Sequence, residues 1–458
     1  MCETTRRSTL AAALALPALA WPEAPGRAQA PARPAEAPRP LFGAKHWRLA
    51  NGLTVVLAEN RRAPVVAHYL FYGAGSGEDP PGRSGLAHYL EHMMFKGSAQ
   101  VPSGAFSRTV AREGGQDNAF TSRDTTAYFQ HIESSRLALM MRMEADRMAA
   151  PLFNPAEFEA ERSVVMEERR QVVESQPRAR FLEAFDSAMW GAQHWRGRPI
   201  IGWMEEIRAI TREDMLAFHA ARYAPGNAVL VVAGDCEEAR LRDLAEETYG
   251  RIPPRPFLPR DRSAIPAGPV EARIERRDPA AREAIFLRAF AAPSATWGEV
   301  QHAQPLEVLA HLLGGGIGSR LHRALVETGL AVGASAYYEA ETAGASVFAI
   351  QATLRAPTAP AALEAAIERE IRRLVEGGVS EAEVARSRRQ ITAGALLALD
   401  GLGAAPRILG SVLTLGLPIE EAEHWPERVR AVRREQVEAA ARAVLGSSFT
   451  TSGWLLPA

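Results

Sequence analysis

The sequence predicts an α+β protein made of two halves that follow a similar plan, and three observations support this fold class. The chain has 458 residues, a length that suggests two to four domain-sized units. A proline-rich stretch, residues 253–270, interrupts the chain and is typical of a linker. On both sides of it, β-branched segments and segments with helical periodicity follow one another in similar order. We therefore predict an N-terminal domain at 41–252 and a C-terminal domain at 271–458.

The first 40 residues are predicted to lie outside the fold. Arg6 and Arg7 precede an uncharged apolar run that ends at Ala20, which is the layout of a secretory signal peptide. The same segment resembles a twin-arginine export signal, although Thr9 stands where that signal prefers an aromatic residue. We predict a signal peptide and a Pro/Ala-rich linker over residues 1–40, periplasmic export, and no membrane span in the mature chain. An uncleaved N-terminal anchor is the alternative.

Composition excludes several classes of function. The chain has 53 basic and 54 acidic residues, and this near-zero balance argues against a dedicated nucleic-acid binder. It has two cysteines, of which Cys2 lies in the predicted signal. Cys236 is then alone, so the mature chain is predicted to have no internal disulfide and no cysteine-type zinc site.

The candidate metal-binding and catalytic residues follow two predicted strands, 52–58 and 65–71. His88, Glu91 and His92 fall within five residues that read as the start of a helix. On a helix, positions i, i+3 and i+4 share one face, so both imidazoles can meet one ion. Two imidazole nitrogens suit Zn²⁺, and a carboxylate that is not a ligand can act as a general base. This order is the inverted zincin motif, although a surface histidine pair beside a glutamate also arises by chance.

A third metal ligand would raise the specificity of this motif, because zinc in hydrolases usually has three protein ligands. A second predicted helix, 155–174, supplies acidic candidates. Glu161 and Glu168 are two helical turns apart and share a face. Glu167 is about 100° away from Glu168, so both cannot face the same ion.

Together these motifs resemble the pitrilysin/insulysin family of zinc peptidases, above all the mitochondrial processing peptidase type and its bacterial relatives. The resemblance runs from about residue 49 to near the chain end. It implies that Glu168 joins His88 and His92 as a ligand of Zn²⁺. It also implies that Glu91 is the catalytic base and that Glu161 supports His88 or another ligand. The implied fold is an α/β roll in each half, with the halves facing each other across a cavity.

The segment before the predicted strand 125–131 is the candidate substrate site. In the resembling family it is an edge strand beside the zinc, which would place Asn118, Ala119 and Phe120 along the substrate cleft. An exposed strand edge can bind an extended peptide through main-chain hydrogen bonds, nearly regardless of peptide sequence. Without the metal motif, an ordinary strand–turn–strand would be the preferred interpretation.

The second half departs from the family at one stretch. Active single-chain relatives have an arginine and a tyrosine that bind substrate, and the matching places in Leu325–Val332 are Val326 and Val332. The resemblance therefore implies a second, related chain that supplies this pair, with the present chain as the metal-bearing half of a heterodimer. The alternative is that Arg320, Arg323 or Tyr337 takes over the role within one chain.

The resulting prediction is a zinc metalloendopeptidase that hydrolyses peptides or unfolded segments. One rival is a catalytically weak or inactive relative that serves as a structural or binding subunit. Another is a metal carrier, which would not need a glutamate placed as a base. The glycine-rich Gly314–Leu321 lacks the Gly-Lys-Ser/Thr ending of a phosphate loop and follows a helix, so a helix-to-helix turn is the better interpretation.

Overall fold

The computed structural model describes residues 39–262, 271–399 and 401–458. In these ranges the chain forms two mixed β-sheets flanked by helices. This arrangement confirms the predicted fold class. The predicted signal peptide and residues 263–270 of the predicted linker lie outside the described residues. In the described ranges, no helix combines the length and apolar character needed to cross a membrane.

The first sheet has the strand order β1-β2-β6-β3-β5-β4, with β2 and β6 parallel and the other neighbours antiparallel. Its strands are β1 (Lys45–Arg48), β2 (Thr54–Glu59), β3 (Val65–Tyr72), β4 (Gln116–Thr121), β5 (Thr126–Glu133) and β6 (Ala228–Gly234). Strand β4 therefore lies at an edge, as the family resemblance implied. His68 on β3 is fully buried and bonded to Gln130 and Tyr249, which agrees with its interpretation as a core residue rather than a ligand.

The second sheet has the order β7-β11-β8-β10-β9, with β7 and β11 parallel. Its strands are β7 (Glu271–Asp278), β8 (Ile285–Ala292), β9 (Ala331–Tyr338), β10 (Ser346–Leu354) and β11 (Thr450–Pro457). If β1 is set aside, the two sheets have the same order and the same single parallel pair. The two halves thus share one topology, in which β4 and β9 are equivalent edges.

Helices cover the sheets. Those of the first half are α1 (Leu86–Met93), α2 (Ala105–Arg112), α3 (Leu137–Ala149), α4 (Pro155–Arg169), α5 (Pro177–Trp190), α6 (Met204–Ala209), α7 (Arg212–Arg222) and α8 (Glu238–Glu247). Those of the second half are α9 (Ala303–Gly314), α10 (Pro360–Gly377), α11 (Glu381–Ala398), α12 (Ala404–Thr414), α13 (Glu420–Glu423), α14 (Trp425–Ala431) and α15 (Arg434–Leu445). A short helical segment, which becomes a π-helical turn at His322–Val326, lies between α9 and β9.

Two helices cross between the halves. Helix α5 packs on the second sheet, where Phe181 and Phe185 join its apolar cluster. Helix α12 packs on the first sheet, and Gly410 permits this close approach, since a Cβ there would fall 2.2 Å from the Phe71 ring. Each half therefore completes the core of the other, which the sequence pattern did not indicate.

A polar junction joins the turn after β4 to the second half. The carboxylate of Asp124 accepts hydrogen bonds from the hydroxyl of Thr342 at 2.8 Å and the amide of Ala343 at 3.2 Å. Arg262 donates to Asp124 at 2.7 Å and to the buried Glu78 at 2.6 Å. These contacts fix the position of the end of β4 relative to the second half.

Candidate active site

Helix α1 begins at a turn that requires glycine. Gly85 has a φ of +88°, and a Cβ there would meet the carbonyl oxygen of Ile201 at 2.4 Å. The carboxylate of Asp79 accepts hydrogen bonds from the amides of Gly85 and Ala87, each at 2.8 Å, and so satisfies amides at the helix start. The turn and the cap together fix the orientation of the α1 face that carries the two histidines.

His88, His92 and Glu168 converge between α1 and α4. One ligand atom from each lies within 4.8 Å of the others, and all three side chains are partly buried. The Oε2 atom of Glu168 is 3.3 Å from Nε2 of His92 and 3.7 Å from Nε2 of His88. Two imidazole nitrogens and a carboxylate oxygen are the donor set of many catalytic zinc sites, so the residues present fit Zn²⁺.

Glu167 does not join this group. Its carboxylate contacts Arg170 at 2.9 Å and Gln171 at 3.3 Å on the exposed side of the helix. The 100° offset between neighbouring helical residues thus places Glu168, and not Glu167, beside the histidines.

Glu161 lies behind His92 rather than behind His88. Its Oε1 accepts a hydrogen bond from Nδ1 of His92 at 2.9 Å, and its Oε2 contacts Lys96 Nζ at 2.5 Å. Burial raises the pKa of Glu161, but the bonds to His92 and Lys96 outweigh it and lower the pKa overall. An ionised Glu161 holds the proton on Nδ1 and leaves Nε2 of His92 facing Glu168. Lys96 was not singled out from the sequence, because its contact with Glu161 depends on how α1 and α4 pack.

The two histidines differ electrostatically. Burial lowers the pKa of His92, but hydrogen bonds to Glu161 and Glu168 outweigh it and raise the pKa to about 9. Burial and the neighbouring His92 lower the pKa of His88, whose Nδ1 has no hydrogen-bond partner among the described residues. A proton on His92 competes with a metal for Nε2, so metal binding must release a proton.

Glu91 lies beside the candidate metal ligands without being one of them. Its Oε2 accepts a hydrogen bond from the hydroxyl of Thr121, the last residue of β4, at 2.5 Å. Burial raises the pKa of Glu91, and the Thr121 bond opposes this shift. Thr121 was also missed from the sequence, because only its position at the end of the Asn-Ala-Phe-Thr segment could have suggested it.

The side chains of the β4 edge point to both faces of the sheet. Ala119 packs with the cluster that contains α1, on the same face as Thr121. Phe120 points to the opposite face, where it packs near Phe71 and Phe129. Asn118 bonds to the amide of Ala119. The part of this strand that can meet a peptide near the metal ligands is therefore chiefly its main chain.

The places of the family arginine and tyrosine lie in the second half. Val326 packs against the second core, and Val332 on β9 is 54% exposed. Arg320 forms a two-pronged ion pair with Glu383, at 2.9 and 3.0 Å, so its guanidinium is already engaged. Tyr337 is partly exposed on β9, with its pKa raised by burial to about 12. Among the described residues, no hydrogen bond or ion pair links these side chains to the metal-ligand group.

Comparison with known proteins agrees with this geometry. Residues 54–202 match the family described as insulinase (peptidase family M16), and residues 209–391 match the peptidase M16 inactive domain. The chain is 30% identical over 413 residues to the uncharacterized zinc protease ML0855 of Mycobacterium leprae, covering 88% of this chain and 89% of that protein. Over 206 residues it is 29% identical to the mitochondrial-processing peptidase subunit beta of Blastocladiella emersonii, covering 45% and 44%.

The fold is also similar to that of a protease from Helicobacter pylori whose crystal structure is known. The TM-score is 0.81 at 24% sequence identity, covering 90% of this chain and 99% of the Helicobacter chain. This likeness spans both sheets, so it supports the two-half architecture as a whole.

Proposed function

Because this chain belongs to peptidase family M16, we propose that it is a zinc-dependent endopeptidase that hydrolyses peptides or unfolded segments. The observation that carries the proposal is the convergence of His88, His92 and Glu168, with Glu91 beside them. A metal carrier would need the three ligands but not a glutamate held at their side.

The chemistry follows from the placement of the side chains. Zn²⁺ held by His88, His92 and Glu168 would supply a Lewis acid that polarises the peptide carbonyl and activates water. Glu91 takes the proton of the attacking water and passes it to the leaving amine. Thr121 orients Glu91, while Glu161 keeps Nε2 of His92 directed at the ligand group.

Substrate binding is proposed to use the β4 edge. In the described chain β4 pairs only with β5, so one side of its main chain is left for an extended peptide. Pairing of this kind gives affinity through backbone hydrogen bonds and depends little on side chains. It favours peptides or unfolded segments, since only these can present a free strand. The proposed place of hydrolysis is a cavity between the two halves.

A second chain is proposed as the partner. Val326 and Val332 cannot donate a side-chain hydrogen bond to a developing oxyanion, and Arg320 is engaged with Glu383. Loss of one such donor typically costs about 10²–10³ in rate. A metal-free relative that supplies an arginine and a tyrosine would restore these donors, making this chain the metal-bearing half of a heterodimer.

Export to the periplasm is the proposed location, supported by the signal-like pattern of residues 1–40. N-terminal sequencing of the protein from a periplasmic fraction should find a start between Trp21 and Pro31. An intact Met1 in a cytosolic fraction would contradict this proposal.

The function is tested by digesting a peptide library with the purified chain, alone and mixed with a related metal-free chain, with and without a zinc chelator. Size-exclusion chromatography of the same samples reports the assembly. We expect weak cleavage by the chain alone, strong cleavage by the mixture, and loss of both with chelator. Strong cleavage by the chain alone would remove the need for a partner. Zinc binding without cleavage in either sample would favour an inactive binding subunit. The valines at the places of the family arginine and tyrosine are also compatible with that alternative.

A further inference from the structure

A groove in the second half lies between the short helical segment around His322–Val326 and helix α10. The groove encloses about 530 Å³, a volume typical of small-molecule sites. Ala324 and Ala366 contribute small side chains to its wall, which leaves room between the two elements.

The groove has an unusual density of guanidinium groups. Its charged lining residues are Arg320, Arg323, Arg369, Arg373, Glu370 and Glu383. Four positive groups face two negative ones, although the whole chain is nearly neutral. On α10 the lining residues follow a spacing of three and four residues, so they share one face of that helix.

The two carboxylates are already used. Glu383 accepts both prongs of Arg320 and also the amide and the hydroxyl of Ser380, at 2.8–3.0 Å. The bond from Arg320 is the chief reason that the pKa of Glu383 falls to about 2. Glu370 is buried and pairs with Arg373 at 2.5 Å. Neither carboxylate therefore has much capacity for a further guanidinium.

Two guanidiniums remain without a full partner. Arg323 approaches Glu383 only to 3.8 Å, which is beyond hydrogen-bond distance. Arg369 has no hydrogen bond or ion pair within the described ranges of the chain. They stand on opposite walls of the groove, Arg323 on the short helix and Arg369 on α10.

We propose that this groove binds a small phosphate-bearing anion, held chiefly by Arg323 and Arg369. The planar guanidinium fork matches the geometry of phosphate oxygens and binds them with charge-assisted hydrogen bonds. The two positive charges left over match a dianion, and the volume leaves room for more than one phosphate group. Bound there, the anion links the short helix that carries Val326 to α10.

The experiment measures binding of inorganic phosphate and of pyrophosphate to the purified chain by isothermal titration calorimetry at about 50 mM salt, where charge interactions are weakly screened. Arg323→Gln and Arg369→Gln should each weaken binding about ten- to a hundredfold, because each removes a charged hydrogen-bond donor. Arg372→Gln is the matched control, since Arg372 is an exposed arginine of α10 that does not line the groove. This control should leave the affinity within about twofold.

Pyrophosphate also binds zinc, so the titrations are repeated in the His92→Ala background. Binding at the groove survives that change, whereas binding at the metal centre does not. Circular dichroism verifies that the Arg323→Gln, Arg369→Gln and Arg372→Gln variants fold. The proposal is overturned if neither anion binds at millimolar concentration, if Arg372→Gln weakens binding as much as Arg369→Gln, or if binding disappears with His92→Ala.

Discussion

The two halves of the molecule have the same scaffold but different chemistry on it. Helix α9 follows β8 as α1 follows β3, and the two helices bury residues in nearly the same pattern. The places of the His-x-x-Glu-His residues of α1 are taken on α9 by Glu307, Ala310 and His311. One histidine place is retained, while the carboxylate of the proposed base is replaced by a methyl group.

The helices that carry the acidic residues make the same comparison. Arg162 of α4 donates to the carbonyl of Ile210 at 2.7 Å, just after α6. In the same way Arg388 of α11 donates to the carbonyl of Val432 at 2.7 Å, just after α14. A contact that supports the scaffold is thus kept in both halves.

Glu161 and Glu168 of α4 have no acidic counterpart on α11. Ser387 stands at the place of Glu161, and Gly394 stands at the place of Glu168. The two halves therefore share a contact that holds helices together and differ at the residues proposed to serve the metal. This contrast separates structural from functional residues, and it can be tested one pair at a time.

The largest contrast is expected for the paired histidines. His92→Ala removes one of the three proposed metal ligands, so zinc should fall from about one per chain to near zero and hydrolysis should be lost. His311→Ala, at the equivalent place, should leave zinc content and turnover within about twofold. Elemental analysis and a peptide assay on both variants check this. Loss of zinc in His311→Ala would show that the second half contributes to metal binding.

A smaller contrast is expected for Glu161, which contacts His92, and for Ser387 at the equivalent place of the second half. Glu161→Gln weakens the acceptor that orients His92, and such changes typically cost about ten- to a hundredfold in metal affinity. Ser387→Ala should not alter metal affinity. Competition with a fluorescent zinc chelator measures both constants. Equal affinity in Glu161→Gln and the unmodified chain would mean that another group orients the histidine.

The smallest contrast concerns a residue at the place of His88. Glu307 lies 3.1 Å from the indole nitrogen of Trp425, and burial raises its pKa to about 8. The folded state then holds a proton that the unfolded state releases near pH 4.3. Stability from this group is therefore full at low pH and falls as pH rises toward 8. Relative to the unmodified chain, Glu307→Gln should therefore have a higher free energy of unfolding at pH 8 and a nearly unchanged one at pH 4.

Urea denaturation of both proteins at the two pH values measures this difference. An equal change in the free energy of unfolding at pH 4 and pH 8 would contradict a stabilising role for the proton on Glu307.

Local periodicity explains what the sequence could predict. The two histidines lie four residues apart and Glu161 and Glu168 lie seven apart, so helical spacing is enough to propose each pair as one face of a helix. The edge position of β4 was available only through family resemblance. The sequence did not indicate β1, β7 or β11, and β11 pairs with β7 across about 180 residues, a distance at which no local pattern specifies the partner.

Contacts between elements explain what the sequence missed at the site. The bond from Thr121 to Glu91 joins a strand end to a helix, and that from Lys96 to Glu161 joins the turn after α1 to α4. The exchange of α5 and α12 between the sheets is likewise a property of packing. Helical spacing suggested the histidine pair and the family resemblance suggested Glu168, but only the packed structure shows that Lys96 and Thr121 contact the groups beside them.

The most direct test of the account is a paired measurement of zinc content and turnover for Glu91→Gln in the active preparation, whether one chain or two. Glutamine keeps the shape of the side chain and can still accept the Thr121 hydrogen bond, but it cannot take a proton at neutral pH. We predict that zinc stays near one per chain while turnover falls about 10²–10⁴-fold. Full turnover with zinc retained would contradict the assignment of Glu91 as the base, and with it the proposed mechanism.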